Sequence, residues 1–115
     1  MDIPDHARSA VAEIRAIGDD ELLTAMMGTF VRFAEAQLAR LEEAAASGDF
    51  ATAGEIAHTL KSSARQLGAL PFGEACADAE LAGRGADASG LPEAVRKMAV
   101  EFAATRSWMD SLSAS

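Results

Sequence analysis

The chain has 115 residues, half of them hydrophobic, and a formal net charge of −8. That length predicts one domain over residues 1–115, with enough apolar residues for one core. The acidic balance argues against nucleic acid as a partner, and against an anionic membrane surface, because both are bound by basic surfaces. The single cysteine, Cys76, forms no internal disulfide, and the first residues lack the cationic and apolar regions of a signal peptide. We therefore expect a cytoplasmic protein.

Hydrophobic residues recur at helical spacing through most of the chain, and no stretch alternates as a strand does. A short amphipathic helix is predicted over residues 5–17 and is broken by Gly18. A second, longer helix follows the acidic residues 19–21, which suit a helix N-terminus, and it runs to about Ser47. Gly48 is a typical C-terminal stop.

Three further helices are predicted. The third begins after Asp49, a good N-cap residue, and ends at Gly68. Pro71 suits the first turn of a fourth helix. The glycine-rich residues 83–90 are predicted to be a flexible connection, after which Pro92 opens the last helix. Helices of this number with short connections predict an all-α fold, an antiparallel up-and-down four-helix bundle with a short extra N-terminal helix.

Six residues on or near the apolar stripes of the helices are predicted to be packing residues. Their periodicity or position predicts that they pack inside the bundle: Ile17, Leu22, Phe33, Cys76, Leu81 and Trp108. His6 lies in a segment predicted to be mobile, has no second metal ligand at a suitable spacing, and is assigned no role.

His58 is the most informative residue, because the third helix places it roughly opposite the core stripe. Gly54 and Ser62 flank it one turn away on either side, so a partner protein can approach the ring. Lys61, three residues on, can offset the charge of a phosphoryl group on a nucleophilic imidazole. A single helical histidine is more often ordinary solvated surface. The combination of histidine, lysine and small residues favours a phosphoryl carrier.

These residues resemble the histidine-containing phosphotransfer (HPt) domain family, whose motif is Ala-His-x-Leu-Lys-Gly, two or three small residues, then Leu-Gly. The matching positions are Ala57, His58, Leu60, Lys61, Ser63, Ala64, Leu67, Gly68 and Ala69. Downstream, Phe72, Cys76 and Glu80 resemble the family's Leu-x-x-x-Cys-x-x-x-Glu pattern, and the likeness covers about residues 22–84. Ser62 departs from the motif, because the family has glycine beside the lysine.

The resemblance implies that His58 Nε2 takes a phosphoryl group from an aspartyl phosphate on a receiver domain and passes it to another receiver. Glu80 is expected to accept a hydrogen bond from Nδ1–H, which leaves Nε2 as the nucleophile. The resemblance implies a carrier rather than an enzyme, and the chain shows no ATP-binding motif that would indicate kinase activity of its own. It needs no cofactor, and magnesium is expected on the partner receiver. The implied partners are response-regulator receiver domains and a hybrid histidine kinase. The protein itself is expected to be a monomer.

Two further predictions concern partner binding. Arg65, with Lys61, forms a basic spot that orients an acidic receiver. Met27, with Val31, lies on an unusually apolar second helix and is predicted to line the docking surface.

Two alternative functions remain open at this stage. One is a helical adaptor that only binds partner proteins, with His58 incidental. The other is the phosphoacceptor helix pair of a histidine kinase, which requires an acidic residue directly after the histidine, where this chain has Thr59.

Overall fold

The computed structural model describes residues 3–114 and contains, within that range, five α-helices and no strand. A short 3-10 helix at Asp5–Ala7 precedes them. The helices are α1 (Arg8–Ile17), α2 (Asp20–Ser47), α3 (Phe50–Gln66), α4 (Leu70–Arg84) and α5 (Gly90–Ala114). The all-α prediction is confirmed for this range, while the predicted domain limits, residues 1 and 115, lie outside it.

Both ends of α2 and the start of α3 are set by side-chain caps and one left-handed glycine. Asp19 accepts a hydrogen bond from the Leu22 amide at 3.0 Å, and Asp49 accepts one from the Thr52 amide at 3.2 Å. These bonds satisfy amides that have no partner within the helix. The hydrogen bonds from Thr52 also lower the pKa of Asp49. Gly48 ends α2 at φ +74°, a conformation that glycine adopts without strain.

The connection between α4 and α5 is shorter and more ordered than predicted. α4 continues through Gly83 and Arg84, and α5 begins at Gly90, two residues before Pro92. The Asp87 carboxylate accepts a hydrogen bond from the Gly90 amide at 2.9 Å and two longer ones from Ser89. Glycine content alone predicted flexibility, but the aspartate side chain fixes this turn.

The core lies where α2, α3, α4 and α5 meet. α2 packs against α3 and α5, and α4 packs against α3 and α5. Three aromatic rings join three of these helices: Phe72 of α4 lies 6.2 Å from Phe30 of α2 and 5.6 Å from Phe102 of α5, between ring centroids. Such contacts add to the apolar area that the rings bury.

The packing predictions for Cys76 and Trp108 are confirmed, since both residues are buried. Burial raises the pKa of the Cys76 thiol to about 12, so this thiol is not a nucleophile near neutral pH.

The other packing predictions are wrong. Ile17 is 84% exposed at the end of α1, and Leu81 is 71% exposed because its neighbour in sequence, Glu80, is the residue that turns inward. Leu22 and Phe33 are each 37% exposed and lie at the edge of the α2 apolar stripe.

His6, to which the sequence assigns no chemical role, has a packing role in the structure. Its Nδ1 atom donates a hydrogen bond to the Gly68 carbonyl oxygen at 2.8 Å, and its ring lies edge-on to Trp108 with centroids 6.2 Å apart. The residue therefore ties the N-terminal segment to the α3–α4 turn and to α5. This contact could not be predicted from local sequence patterns, because the three residues are far apart along the chain.

Candidate functional site

His58 lies on α3 with 52% of its side chain exposed, and it faces α4. Its Nδ1 atom is 3.0 Å from Oε2 of Glu80. This is the contact that was predicted between the two side chains, and it is present. The role in phosphotransfer that accompanies it stays a prediction.

Glu80 is the buried centre of the site. Only 5% of its side chain is exposed, yet its carboxylate has three partners on two helices. Oε1 accepts a hydrogen bond from Lys61 Nζ at 2.6 Å, while Oε2 contacts His58 Nδ1 and lies 2.6 Å from a guanidinium nitrogen of Arg84. The hydrogen bond from Lys61 lowers the pKa of Glu80, helped by His58 and Arg84 and opposed by burial. The group is a carboxylate at neutral pH.

An ionised carboxylate fixes the tautomer of the histidine. Because Glu80 then only accepts hydrogen bonds, the shared proton must reside on Nδ1 of His58. In a neutral ring, this leaves the Nε2 lone pair free. The arrangement is therefore chemically suited to a nucleophile at Nε2, with the proton at the other nitrogen held in place.

A close approach of α3 and α4 brings these side chains together. A Cβ atom on Gly83 would lie 2.8 Å from the amide nitrogen and 2.9 Å from the Cα atom of Gly54, so no side chain fits there. Glu80 and Arg84 stand on either side of Gly83 along α4. The glycine contact thus sets the distance across which Glu80 reaches His58.

This contact corrects the prediction for Gly54. The residue is buried against α4 and does not form part of an exposed surface around His58. Helical periodicity placed it correctly one turn before the histidine, but it could not show that another helix covers that position.

Arg84 is the site residue that the sequence analysis missed. It was assigned to the flexible connection, whereas it lies in the last turn of α4 and pairs with Glu80. A Glu–Arg pair at a spacing of four residues is a recognised signal on one helix face and could have identified it.

The predicted positions of Ser62 and Arg65 on the exposed face of α3 agree with the structure. Ser62 donates a hydrogen bond from Oγ to the carbonyl oxygen of His58 at 3.3 Å. Arg65 has no contact with Glu80 and lies beside Gly73 of α4, further along the helix. Lys61, in contrast, is half-buried, with 19% of its side chain exposed.

The prediction that Met27 lines a docking surface is wrong. Met27 is 1% exposed and Val31 is 7% exposed, so both belong to the core. The adjacent residue, Met26, is 36% exposed and lies in an open groove between α2 and α3 that also includes Phe33 and Gln66. Because α2 is apolar around most of its circumference, periodicity could not show which of Met26 and Met27 is buried and which is exposed.

The family model described as "Hpt domain" matches residues 25–114. The fold is similar to the crystal structure of histidine-containing phosphotransfer protein B (HptB) from Pseudomonas aeruginosa PAO1, with a TM-score of 0.88, 24% sequence identity and 95% of each chain covered. That likeness shows the fold. No curated protein sequence matches this chain closely enough to count as a relative.

The chain belongs to the Hpt domain family, since the family match spans most of its length. Its function is histidine phosphotransfer in a two-component phosphorelay. Its partners are accordingly of two general classes, receiver domains and histidine kinases. None of the helices described between residues 3 and 114 combines the length and hydrophobicity of a membrane-spanning segment.

Proposed function

We propose that His58 is the residue that carries the phosphoryl group, with Nε2 as the accepting atom. The contact between His58 Nδ1 and Glu80 Oε2, at 3.0 Å, is the observation that supports this most directly. It orients a half-exposed imidazole and keeps the proton away from Nε2. His6, by comparison, uses its own Nδ1 to hold the Gly68 carbonyl and packs against Trp108.

In the transfer, the Nε2 lone pair attacks the phosphorus of an aspartyl phosphate on a receiver domain. The N–P bond forms as the P–O bond to the aspartate breaks, and the aspartate leaves as a carboxylate with the electron pair. Nδ1 keeps its proton, so the phosphorylated ring is cationic. The negative charge of Glu80 stabilises that cation at 3.0 Å. The same steps in reverse pass the group to a second receiver.

Lys61 and Arg84 supply positive charge for the arriving phosphoryl group. Both are held at 2.6 Å from Glu80 in the unphosphorylated protein. With two cations on one carboxylate, one can turn toward a phosphoryl oxygen while the other keeps Glu80 paired. The Arg84 side chain is 66% exposed and that of Lys61 is 19% exposed, so Arg84 has more freedom to move.

The receiver docks, we propose, on the α2 patch, which we define as Leu22, Met26 and Phe33. These residues share one helical stripe, and each is more than a third exposed. The groove beside the patch is bounded on α3 by Ser63 and Gln66. Adaptable apolar surface of this kind suits successive partners of one shape. Arg65 and Ser62 complete the surface on α3.

The proposal also includes the arrangement of the helices and the state in which the protein acts. Connections of two to five residues between α2, α3, α4 and α5 support an antiparallel up-and-down four-helix bundle, to which α1 is added. We propose that residues 1–115 form one HPt domain that acts as a cytoplasmic monomer without a cofactor. A hybrid histidine kinase supplies the phosphoryl group through its receiver, and the receiver binds the magnesium ion.

The test mixes the purified protein with a receiver domain that carries a radiolabelled aspartyl phosphate. Wild-type protein is expected to acquire an acid-labile, base-stable label, and the His58→Gln variant is expected to acquire none. Because the side chain is half exposed, the substitution should change the free energy of unfolding by about 1 kcal/mol or less. Labelling of a folded His58→Gln variant would show that another residue carries the group. A folded wild type that no receiver labels would leave a partner-binding adaptor as the better account.

A further inference from the structure

The cations of the site lie on one side of His58. Lys61 and Arg84 both reach Glu80, and Glu80 is the partner of Nδ1. The two ring nitrogens flank Cε1 and point in diverging directions. Since Nδ1 is directed at α4, Nε2 and any group attached to it are directed away from α4. The atoms of a phosphoryl group therefore lie on the side away from Lys61 and Arg84 as these stand in the unphosphorylated structure.

Two exposed hydroxyl residues, Ser62 and Thr59, lie on that side within one turn of the histidine, and Ser62 is the nearer of the two around the helix. It follows His58 by four residues, which places it about 40° around the helix, on the side opposite Lys61. Side chains at this spacing have Cβ atoms about 5–6 Å apart, and the later one leans back toward the earlier one. Both Ser62 and His58 are exposed.

The present hydrogen bond of Ser62 is easily exchanged. Its Oγ atom lies 3.3 Å from the His58 carbonyl oxygen, whereas hydroxyl donors usually lie about 2.7–2.8 Å from their acceptors. That carbonyl also accepts within the helix, so it is not left without a partner when the hydroxyl rotates away. A phosphoryl oxygen is a far stronger acceptor than a backbone carbonyl.

We propose that Ser62 is a positioning residue for the phosphorylated state: its hydroxyl turns from the His58 carbonyl to a phosphoryl oxygen on Nε2. This inference rests on the proposed function of His58. The hydroxyl stabilises the phosphohistidine relative to the free histidine, on the side that Lys61 and Arg84 do not occupy. It therefore shifts the transfer equilibrium toward this protein and away from the receiver.

The experiment measures the equilibrium constant for phosphoryl transfer between the protein and a receiver domain that labels the wild type. Ser62→Ala is expected to shift the equilibrium toward the receiver by about three- to tenfold, the effect of losing one exposed hydrogen bond to a charged group. Ser62→Thr keeps the hydroxyl and should stay within about twofold of wild type. Ser111→Ala is the matched control, because Ser111 makes the same bond, at 3.0 Å to Ser107, on α5.

The equilibrium constant separates this role from a steric one. If the Ser62 side chain only hinders docking, its removal changes the forward and reverse rates by the same factor, and the constant stays at the wild-type value. An unchanged constant in Ser62→Ala would overturn the proposal while His58 remained the carrier. Absence of label from the wild type itself would overturn the proposed function, and this inference with it.

Discussion

At the scale of single residues, the site depends on a carboxylate that is almost completely buried. Glu80 tolerates burial because it has three partners, and their combined effect holds its pKa below the ordinary value of 4.5. A group with a lowered pKa in the folded state contributes stability above its unfolded pKa. That contribution is lost as the pH falls through the lower, folded value. The site is therefore intact across the neutral range.

Glu80→Gln is expected to lower the free energy of unfolding by about 1–2 kcal/mol at neutral pH, because Lys61 and Arg84 lose a charged acceptor but can reach water. Glutamine binds no proton, so the difference from wild type should shrink as the pH is lowered below 4.5. Denaturant unfolding at several pH values measures both effects. A difference that does not change with pH would mean that the charge of Glu80 adds nothing to stability.

The same variant should transfer phosphoryl groups more slowly, since the amide does not select the Nδ1–H tautomer of His58 or stabilise a ring cation. A transfer rate equal to that of wild type would remove Glu80 from the mechanism.

Three of the residues around His58 show what the sequence could and could not predict. His58, Lys61 and Glu80 were identified through the spacing of a motif and its resemblance to a family, and the structure brings them together. Arg84 was missed because two glycines flank it, and local composition outweighed the spacing of four residues from Glu80. His6 was missed for a different reason: its partners, Gly68 and Trp108, are adjacent only after folding.

At the scale of elements, the two helices of the site are held in register by a glycine contact. A Cβ atom added to Gly83 would lie only 2.8–2.9 Å from backbone atoms of Gly54 and from the carbonyl oxygen of Phe50. Backbone cannot move aside as a flexible side chain can. A methyl group at this position must push α3 and α4 apart and carry Glu80 away from His58.

Gly83→Ala is therefore expected to destabilise the protein by about 1–3 kcal/mol, although alanine is the better helix former. Gly28→Ala is the matched control: a Cβ there lies 3.4 Å from the end of the Arg32 side chain, so the variant should be stabilised by about 0.5–1 kcal/mol. Thermal melting of both variants measures the contrast. If both variants melted at a higher temperature than wild type by the same amount, α3 and α4 would have room for the added methyl group.

The bounds of the helices were largely predictable because caps are local signals. Asp19, Gly48 and Asp49 mark the ends that the sequence indicated. The start of α5 was predicted at Pro92, two residues too late. The helix begins at Gly90 because the Asp87 side chain accepts a hydrogen bond from the Gly90 amide. The glycine contact between α3 and α4 could not be predicted either, since it depends on the packing of two separate helices.

At the scale of the whole molecule, three of the ten basic residues of this acidic chain lie along one junction between helices. Lys61, Arg65 and Arg84 lie along the junction of α3 and α4, while the net charge is −8. The α2 patch lies on the other side of the exposed face of α3. A docking receiver would meet apolar surface on one side of His58 and basic surface on the other, which fixes its orientation.

Two adjacent methionines test the α2 patch. Met26→Asp should weaken receiver binding and leave stability within about 1 kcal/mol of wild type, because Met26 is 36% exposed. Met27→Asp should unfold or severely destabilise the protein, because it places a charge at a position that is 1% exposed. Calorimetric titration with a receiver and thermal melting separate the two. Undiminished binding by Met26→Asp would exclude the patch as the docking surface.

The division of labour among the helices has a consequence for how such proteins diversify. The groups that bond to Glu80 lie on α3 and α4, whereas the exposed apolar residues of the patch lie on α2. If the receiver docks on the α2 patch as proposed, substitutions on the outer face of α2 can change which receiver is bound while the groups around His58 stay the same. After gene duplication, drift on α2, with smaller adjustments at α3 residues such as Arg65, would then give a new signalling connection while the two copies kept the same chemistry.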